Sequence, residues 1–579
     1  MNLARCICAL GFLALYNPAR LLAQAPVARP SVSHFPTAKS AAAPSRPKLV
    51  VLLVVDQMRG DYVDKFQHQW TGGLRRMLQE GAWFREAAYP YAATETCVGH
   101  ATISTGALPT THGMVANAWW DRDSQKIVTC TSDPNVTNTV YGGGSATAGG
   151  DSAWRMRIPA FAEELRSQTG GDTRVVTFSL KARAAITMAG HKADAATWFD
   201  GGLWETSSPY ASQPFIESFV KSHPMQADAA KTWELSLPAK SYLYDDKATG
   251  AVAPPGWTLT FPHVLNANPT GGPDAGFYLR WATSPYADTY LTKLAESAID
   301  QLGLGQKSST DFLGISYSSP DYVGHAFGPH SREIQDVLVR LDKDLADLFA
   351  HLDARVGHGN YVVALSADHG VVPVPEDMQK TGVDAGVLYV TEIQGKIEKA
   401  LEPFNYIKPA VARIASMDVY FSTGIYSRLK TDPAALQAVL SAVHSVPGVA
   451  DVYRAEELQD RPATQSPSRS AEAASYFPGR SGDLLVVPKP YWLVFGGPTG
   501  QPRDYGTGHG TPYYYDQHVP VLFMGWGIEH GQYFGRITPA DIAPTLAALC
   551  GVTLSSSDGR ALAEALHKAN SGKSTVANH

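Results

Sequence analysis

The chain has 579 residues, of which 44% are hydrophobic and 18% charged, and its formal net charge is −6. This is an ordinary globular composition with enough apolar material for a large core. Basic residues form no long run, so the composition excludes an extended nucleic-acid-binding surface, which needs clustered Lys and Arg.

The first residues have the pattern of a secretory signal peptide. Arg5 supplies a positive charge, the apolar run CICALGFLALY follows, and LLAQA offers a cleavage site near Ala25. We therefore predict a signal peptide over residues 1–25 and export to the periplasm or the medium, with no stable membrane anchor after cleavage. A transmembrane anchor is the alternative, but the run is too short to span a bilayer and Arg20 interrupts its far side.

Two of the five cysteines, Cys6 and Cys8, lie in the predicted signal peptide. The remaining three form an odd set, so we expect at most one disulfide and at least one free thiol. The chain is therefore not a disulfide-stabilised scaffold. The three cysteines are Cys97, Cys130 and Cys550.

Residues 26–47 are rich in Pro, Ala and Ser, which predicts a flexible lead-in. The run KLVVLLVVD follows and is typical of a strand buried on both faces of a parallel sheet. Similar runs recur at RVVTFSL, DFLGISYSS, YVVALSAD and VPVLFMGWG, and amphipathic helices lie between them, the clearest at SREIQDVLVRLDKDLADLFAHLDAR. Strands alternating with helices predict an α/β layered fold with ligand sites at the carboxyl ends of its strands.

We predict one catalytic domain over residues 48–567 and a disordered tail over 568–579. Three segments are longer than sheet connections require and are predicted to be insertions near the active site, at roughly 119–170, 190–300 and 375–500. The last contains the strand-like stretches MDVYFS and DLLVVPKPYWLVF, which also suit a subdomain. Such loops usually set substrate access.

Acidic and imidazole side chains follow several of the predicted strands. A single Asp at a strand end usually caps a helix or forms a turn, but six acidic and imidazole side chains, five of them at strand ends, favour a common function. Asp and His in equal numbers suit a borderline-soft divalent metal such as Zn²⁺, and two metals with three side chains each leave positions open for a nucleophile or substrate. The six are Asp56, Asp321, His325, Asp368, His369 and His509.

The order of these residues resembles that of the alkaline phosphatase superfamily: an Asp after the first strand, a Ser/Thr nucleophile, D-x-x-x-H, D-H and a late H-G. TETCVGHATISTG, residues 94–106, is similar to the T-x-T-x-x-G-H-x-x-x-x-T-G segment of threonine-nucleophile members, in which the second threonine attacks. The resemblance covers nearly the whole mature chain. It implies an alkaline-phosphatase-like α/β/α fold with a central, mostly parallel sheet, and a phosphothreonine intermediate.

The same resemblance identifies Thr96 as the nucleophile, with Thr94 as the alternative. Thr96 also suits a helix N-cap, and the two roles are compatible because a helix N-terminus stabilises an anion. Two Zn²⁺ ions are implied, with other divalent metals as alternatives. One ion is assigned to Asp56, Thr96, Asp368 and His369, and the second to Asp321, His325 and His509.

SLKARAAI resembles the S-x-K-x-R-[AG]-A-I segment of the phosphate-irrepressible, threonine-type alkaline phosphatases, and MVANAWWD resembles their N-x-[WY] stretch. The resemblance implies that Lys181, Arg183 and Asn117 contact the phosphate oxygens. Without it, a solvated basic pair and a turn asparagine are the ordinary interpretations. His100 is expected to pack or to support a ligand, and Cys97, which has no Cys-x-x-Cys partner, is expected neither to bind metal nor to react.

We therefore predict an exported dimetal phosphatase that hydrolyses small phosphate monoesters, whose higher charge suits the Lys-x-Arg element. A phosphodiesterase or nucleotide pyrophosphatase of the same superfamily, which generally lacks that element, is the alternative. A sulfatase is excluded because TCVGH lacks the proline and arginine of the sulfatase segments C-x-P-x-R and S-x-P-x-R. A phosphoglycerate mutase of the same superfamily is disfavoured because those enzymes use a serine and act in the cytosol, whereas this chain has a threonine and a predicted signal peptide. A non-enzymatic metal-binding protein is disfavoured because structural zinc sites are usually rich in cysteine.

Overall fold

A computed structural model describes residues 46–143, 149–266, 268, 272–459 and 466–567 of the chain. The predicted signal peptide, nearly all of the lead-in and the predicted tail lie outside these residues. The strands, in chain order, are β1 (Leu49–Val55), β2 (Ala82–Ala87), β3 (Ala118–Asp121), β4 (Lys126–Thr129), β5 (Asn138–Tyr141), β6 (Val175–Ser179), β7 (Ala195–Asp200), β8 (Leu203–Ser207), β9 (Thr232–Trp233), β10 (His263–Val264), β11 (Asp311–Tyr317), β12 (Tyr361–Ser366), β13 (Gly386–Tyr389), β14 (Val411–Ala415), β15 (Asp418–Phe421), β16 (Val449–Arg454), β17 (Leu484–Pro488), β18 (Trp492–Phe495), β19 (Val521–Gly525) and β20 (Gly531–Ile537).

The α-helices of the described residues range from single turns to a helix of 21 residues, α11. In chain order they are α1 (Tyr62–Lys65), α2 (Gly73–Glu80), α3 (Thr96–Thr105), α4 (Pro109–His112), α5 (Phe161–Gln168), α6 (Ala182–Ala189), α7 (Pro214–Ser222), α8 (Phe277–Ala282), α9 (Pro285–Leu302), α10 (Ser319–Phe327), α11 (Arg332–Leu352), α12 (Pro375–Lys380), α13 (Val390–Leu401), α14 (Ile425–Leu429), α15 (Pro433–His444), α16 (Ala455–Gln459), α17 (Pro467–Ser475), α18 (Tyr514–Gln517) and α19 (Ile542–Cys550). In this part of the chain, no helix combines the length and apolarity needed to cross a membrane.

Ten of the described strands form one central sheet in the order β20-β2-β19-β12-β1-β11-β6-β7-β8-β5. β1 pairs in parallel with both β11 and β12. The pairing directions show that β8 and β19 oppose β1 and that the other strands of this sheet run with it. The prediction of a mostly parallel central sheet is confirmed.

Alternate residues of β1 enter two different apolar clusters, which cover the two faces of the sheet. Leu49, Val51, Leu53 and Val55 pack in the cluster that includes residues of α2, α9 and α11. The intervening residues pack in the cluster that includes residues of α3, α5, α6 and α19. The continuous apolar run of β1 therefore reflects burial on both faces, and the fold is a layered α/β/α arrangement.

Two of the predicted insertions contribute strands to the central sheet. β5 lies within residues 119–170, and β7 and β8 lie within 190–300, so parts of both segments belong to the central sheet. These strands are short and lie toward one end of the sheet, and β5 is only partly buried. All three contain polar residues and lack the long apolar run that marks β1.

The segment predicted as a third insertion has a hydrophobic core of its own. β14, β15, β17 and β16 form a four-stranded antiparallel sheet. Its apolar side chains pack with those of α13 and α15 in a cluster that includes Ile393, Val439 and Leu484. The turn between β14 and β15 and part of β17 line a small cavity together with Glu95, the residue before α3.

Candidate active site

The predicted metal ligands gather at the carboxyl ends of three adjacent strands. Asp56 follows β1, Asp321 lies in α10 just after β11, and Asp368 follows β12. Because these strands are parallel neighbours, their carboxyl ends meet at one edge of the sheet. Asp321 and His325 are four residues apart in α10 and so lie on the same face of that helix.

We call Asp321, His325 and His509 the outer cluster. Their ligand atoms all lie within 4.8 Å of one another. Asp321 Oδ1 lies 3.2 Å from His325 Nε2 and 3.9 Å from His509 Nε2. The side chain of His325 is 31% exposed and that of His509 is 10% exposed, so this cluster opens toward solvent.

We call Asp56, Asp368 and His369 the inner cluster. His369 Nε2 lies 3.6 Å from Asp56 Oδ1 and 3.5 Å from Asp368 Oδ2. All three side chains are fully buried. The ligand atoms of Asp321, Asp56 and His369 also lie within 4.8 Å of one another, so the Asp321 carboxylate contacts both the outer and the inner cluster.

The three imidazoles have the same orientation relative to the backbone. In each, Nδ1 donates a hydrogen bond to a main-chain carbonyl, which leaves the lone pair of Nε2 facing the carboxylates. This fixed tautomer is the usual arrangement of a metal-binding histidine. The carbonyls belong to Thr507, Thr94 and Gly370, at 2.8, 2.7 and 2.9 Å from His325, His509 and His369 respectively.

The electrostatics of the clusters also fit a divalent cation. Burial raises the pKa of Asp56, and the nearby Asp368 carboxylate raises it further. Burial alone would raise the pKa of Asp321 as well, but His325 and Lys181 outweigh it and hold that pKa well below its ordinary value. Among the described residues, Asp56 Oδ1 and the Nε2 atom of the inner histidine are buried without a hydrogen bond. Buried polar atoms of this kind need a partner, and a cation held by both atoms supplies one.

Lys181 joins the inner and outer clusters. Its ammonium donates to Asp56 Oδ2 at 2.6 Å and to Asp321 Oδ2 at 2.5 Å. Burial alone would lower the pKa of Lys181, but the two carboxylates outweigh it and raise that pKa. The side chain therefore stays charged and lies between the clusters, rather than at the surface as a solvated basic residue.

Thr96 is the first residue of α3 and is 1% exposed. Its hydroxyl oxygen lies 3.5 Å from Arg183 Nη2. Within the same segment, Gly99 lets α3 approach the end of β12, because a Cβ at this position would lie 2.1 Å from the carbonyl oxygen of Asp368. The lone glycine of TETCVGH therefore allows the helix that begins at Thr96 to pack closely against the backbone of Asp368.

Asn117 lies beside the start of α3. Its carboxamide Oδ1 accepts a hydrogen bond of 2.8 Å from the Cys97 N–H, and its own N–H donates to Glu95 Oε2 at 2.6 Å. Asn117, Lys181 and Arg183 line one pocket of about 270 Å³. The structure thus brings together all of the predicted site residues at one edge of the sheet.

Other contacts at the site were missed in the sequence. Gln57 has a φ of 65°, and its side chain and N–H donate to Asp321 Oδ1 and Asp368 Oδ1 at 2.6 and 3.1 Å. No motif marks this residue. His100 lies where a supporting residue was expected, with Nδ1 3.2 Å from Asp368 Oδ2.

The sequence also left the pairing of the cysteines open. Cys97, which was expected neither to bind metal nor to react, forms a disulfide with Cys130, and Cys550 is free and buried. One disulfide and one free thiol among the described residues agree with the expectation of at most one disulfide and at least one free thiol. The pairing joins residues 33 positions apart, so no local spacing could reveal it.

The family model of type I phosphodiesterase / nucleotide pyrophosphatase matches residues 50–514. The chain is 34% identical to alkaline phosphatase PafA of Elizabethkingia meningoseptica, over 87% of this chain and 91% of the relative. It is 33% identical to alkaline phosphatase PhoV of Synechococcus elongatus, over 87% of this chain and 90% of the relative.

Two solved structures of alkaline phosphatase PafA share the fold. The wild-type structure has a TM-score of 0.82 at 32% identity and covers 91% of this chain and 100% of its own. The second is a variant in which a threonine, an asparagine, a lysine and an arginine are substituted, with a TM-score of 0.83 at 31% identity and the same coverage.

Proposed function

Because the chain belongs to the type I phosphodiesterase / nucleotide pyrophosphatase family and is an alkaline-phosphatase-type enzyme within it, we propose that it hydrolyses phosphate monoesters with two divalent metal ions and Thr96 as the nucleophile. The observation that carries this proposal is the position of the Thr96 hydroxyl, 3.5 Å from Arg183 Nη2 at the start of α3. A nucleophile and a cationic group at this separation suit attack on a charged phosphoryl group.

The inner cluster together with Thr96 would hold one ion, and the outer cluster would hold the other. Zn²⁺ suits both sets, which mix carboxylate oxygens with imidazole nitrogens. When bound, such ions supply positive charge that activates an oxygen nucleophile and stabilises a departing oxygen. The protein contributes ligands whose tautomers are already fixed by the backbone carbonyls of Thr507, Thr94 and Gly370.

Thr96 is suited to a nucleophilic role by its place in α3. The first N–H groups of a helix have no partner within the helix, so an oxyanion at this end is stabilised. Attack by Oγ1 would form a bond to phosphorus as the bond to the ester oxygen breaks, and water would later displace phosphate from the threonine. Burial of Thr96 keeps competing water away during the first step.

Preference for monoesters is proposed from three polar side chains that line one pocket, one of which, Arg183, lies 3.5 Å from the Thr96 hydroxyl. A monoester presents three nonbridging oxygens and more charge than a diester, so Arg183, Lys181 and the Asn117 carboxamide favour it. The same four residue types, threonine, asparagine, lysine and arginine, are substituted together in the solved PafA variant. A diesterase is the second candidate, because the matching family model is that of phosphodiesterases.

The test compares kcat/KM for a chromogenic monoester with that for the matching diester. We expect the wild type to prefer the monoester. Arg183→Ala should lower monoester kcat/KM by roughly 10² or more, and diester kcat/KM far less, because a diester has one nonbridging oxygen fewer to satisfy. The ratio of the two does not depend on the concentration of active enzyme.

Arg75→Ala is the matched control, since Arg75 is exposed on α2, which carries none of the predicted site residues. It should leave both values unchanged. Equal losses on the two substrates in Arg183→Ala, or a wild type that prefers the diester, would contradict the monoesterase proposal and favour the second candidate.

Export is proposed separately, from the charged and apolar pattern of residues 1–25. Expression of the full chain in a Gram-negative host should yield processed protein in the periplasm or the medium. N-terminal sequencing should give a start at or near Pro26. Full-length protein retained in the cytoplasm would contradict this proposal without affecting the enzymatic one.

A further inference from the structure

The disulfide lies directly beside the proposed nucleophile. Cys97 is the second residue of α3 and follows Thr96. Its partner, Cys130, comes directly after β4, the second strand of a hairpin formed by β3 and β4. β3 begins directly after Asn117. The disulfide therefore joins the helix that carries the nucleophile to the hairpin that carries a proposed phosphate ligand.

Asn117 is held from both sides of this link. Its Oδ1 accepts from the Cys97 N–H at 2.8 Å, its carbonyl accepts from the Cys130 N–H at 2.9 Å, and its N–H donates to Glu95 Oε2 at 2.6 Å. Both disulfide cysteines therefore hydrogen-bond to this one residue. Because the carboxamide oxygen is occupied, the Nδ2 group is the part of the side chain that remains to donate to a phosphate oxygen.

The hairpin has little backbone pairing of its own, and at its turn Arg122 donates to the carbonyls of Gly479 and Ser481 and to Asp483. Within the described residues, β3 and β4 pair only with each other. A two-stranded hairpin is marginal in water, and the side chains of β4 are mostly exposed. Trp119, which is buried, anchors the β3 side. On the β4 side, the covalent link through Cys130 is what fastens the hairpin to α3.

We propose that the Cys97–Cys130 disulfide is a positioning device, which holds the Asn117 carboxamide at the distance from Thr96 that phosphate binding needs. The inference rests on the proposed function, in which Asn117 binds a phosphate oxygen. Small displacements of a positioned group cost catalysis, so opening the link should lower activity through Asn117. A disulfide that only stabilised the fold would act through no particular side chain.

A double-mutant cycle separates these cases. Cys97→Ala/Cys130→Ala is made in the wild-type chain and in Asn117→Ala, and kcat/KM for a monoester is measured with inhibition by inorganic phosphate. In the wild-type chain we expect the cysteine change to lower kcat/KM about 10-fold and to weaken phosphate inhibition similarly. In Asn117→Ala we expect the same change to cost less than about 2-fold, because the residue it positions is gone.

Cys550→Ala is the control for loss of a buried cysteine outside the site and should leave kcat/KM unchanged.

A second experiment reduces the intact enzyme with a dithiol, which gives two electrons and two protons to the S–S bond and itself becomes a cyclic disulfide. Peptide mapping reports the thiols of Cys97 and Cys130, and Zn²⁺ is resupplied because dithiols bind it. The reduced enzyme should match the double alanine variant, and that variant should not respond to the reductant.

The outcomes distinguish the two proposals. If Asn117→Ala is itself fully active, its proposed phosphate contact is wrong and the positioning inference falls with it. If Asn117→Ala is impaired but the cysteine change costs the same factor in both backgrounds, the proposed function stands and the positioning inference is overturned. Thermal unfolding, measured on all four proteins, shows whether each is folded at the assay temperature.

Discussion

The inner and outer clusters use the same two kinds of side chain in different surroundings. Asp56, Asp368 and His369 are fully buried, whereas 31% of the His325 side chain and 10% of the His509 side chain are exposed. The inner cluster has two carboxylates for one imidazole, and the outer cluster has one carboxylate for two imidazoles. The inner cluster therefore has more carboxylate charge and is more fully removed from water, and the outer cluster is more accessible to solvent.

This difference suits two roles in the proposed reaction. A buried set with two carboxylates attracts a cation strongly, because charges interact more strongly away from water. A half-open set with a single carboxylate and two imidazoles leaves a position for an exchanging oxygen, as catalytic zinc sites do. We expect the inner cluster to govern the nucleophile and the stability of the fold, and the outer cluster to govern departure of the alcohol and entry of water.

Metal removal should give the largest effect. In the proposed mechanism each cluster holds a cation that exhaustive chelation would remove, so monoester hydrolysis should fall to background, and added Zn²⁺ should restore it. If the inner cluster binds Zn²⁺ more tightly than the outer one, restoring activity will require two equivalents of Zn²⁺ per chain, and activity will rise only as the second equivalent binds. Full activity after chelation, with the absence of metal confirmed by elemental analysis, would contradict the metal-dependent proposal for both clusters.

Loss of the nucleophile should rank next. Thr96→Ala removes the hydroxyl that lies 3.5 Å from Arg183 Nη2, and kcat should fall roughly 10⁴-fold or more, the scale seen when a covalent nucleophile is deleted. The metal content should stay near that of the wild type, because all six side-chain ligands remain. Stopped reactions with a labelled monoester should show phosphothreonine in the wild type and none in the variant. Trapped label on another residue would identify a different nucleophile.

Single ligand deletions separate the clusters directly. His369→Ala leaves two buried carboxylates without their imidazole neighbour, so we expect a stability loss of about 3–5 kcal/mol in the presence of metal. His325→Ala removes a partly exposed ring, and its loss should be about 1 kcal/mol or less. Both should lower activity by about 10² or more. Urea unfolding with metal analysis measures these values, and equal stability losses would contradict the contrast between the clusters.

Five of the six predicted ligands could be located in the sequence because they lie at or just after strands with apolar runs of their own, whereas His509 follows no such run. β1, β11 and β12 are buried on both faces, so their ends, and the acidic residues after them, could be located without the structure. β5 and β8 could not be located, since edge and near-edge strands carry polar residues and have no long apolar run.

Residues that act through contacts between distant segments were the ones missed. Gln57 reaches Asp321 across 264 positions of the chain, and the Cys97–Cys130 link depends on where a hairpin folds back. Neither has a local spacing that identifies it. The position of Lys181 between two carboxylates was missed for the same reason, because only the pairing order of β1, β11 and β6 brings these side chains together.

The smallest effect should come from Thr94→Ala, which tests whether the outer cluster depends on this threonine's backbone or on its side chain. The Thr94 carbonyl accepts the hydrogen bond from His509 Nδ1, at 2.7 Å, and alanine retains that carbonyl. The hydroxyl bonds the backbone of Thr511, donating to its carbonyl at 3.1 Å and accepting from its N–H at 3.0 Å.

Thr94→Ala removes these two bonds, at a cost of about 1 kcal/mol each, and only indirectly loosens the loop that carries His509. We therefore expect kcat/KM to fall by less than about 10-fold and the inner cluster to keep its metal. Thr94→Ser, which restores the hydroxyl, should recover most of the loss. A loss in Thr94→Ala as large as that in Thr96→Ala, with phosphothreonine formation abolished, would instead assign the attack to Thr94 and reverse the choice within the T-x-T segment.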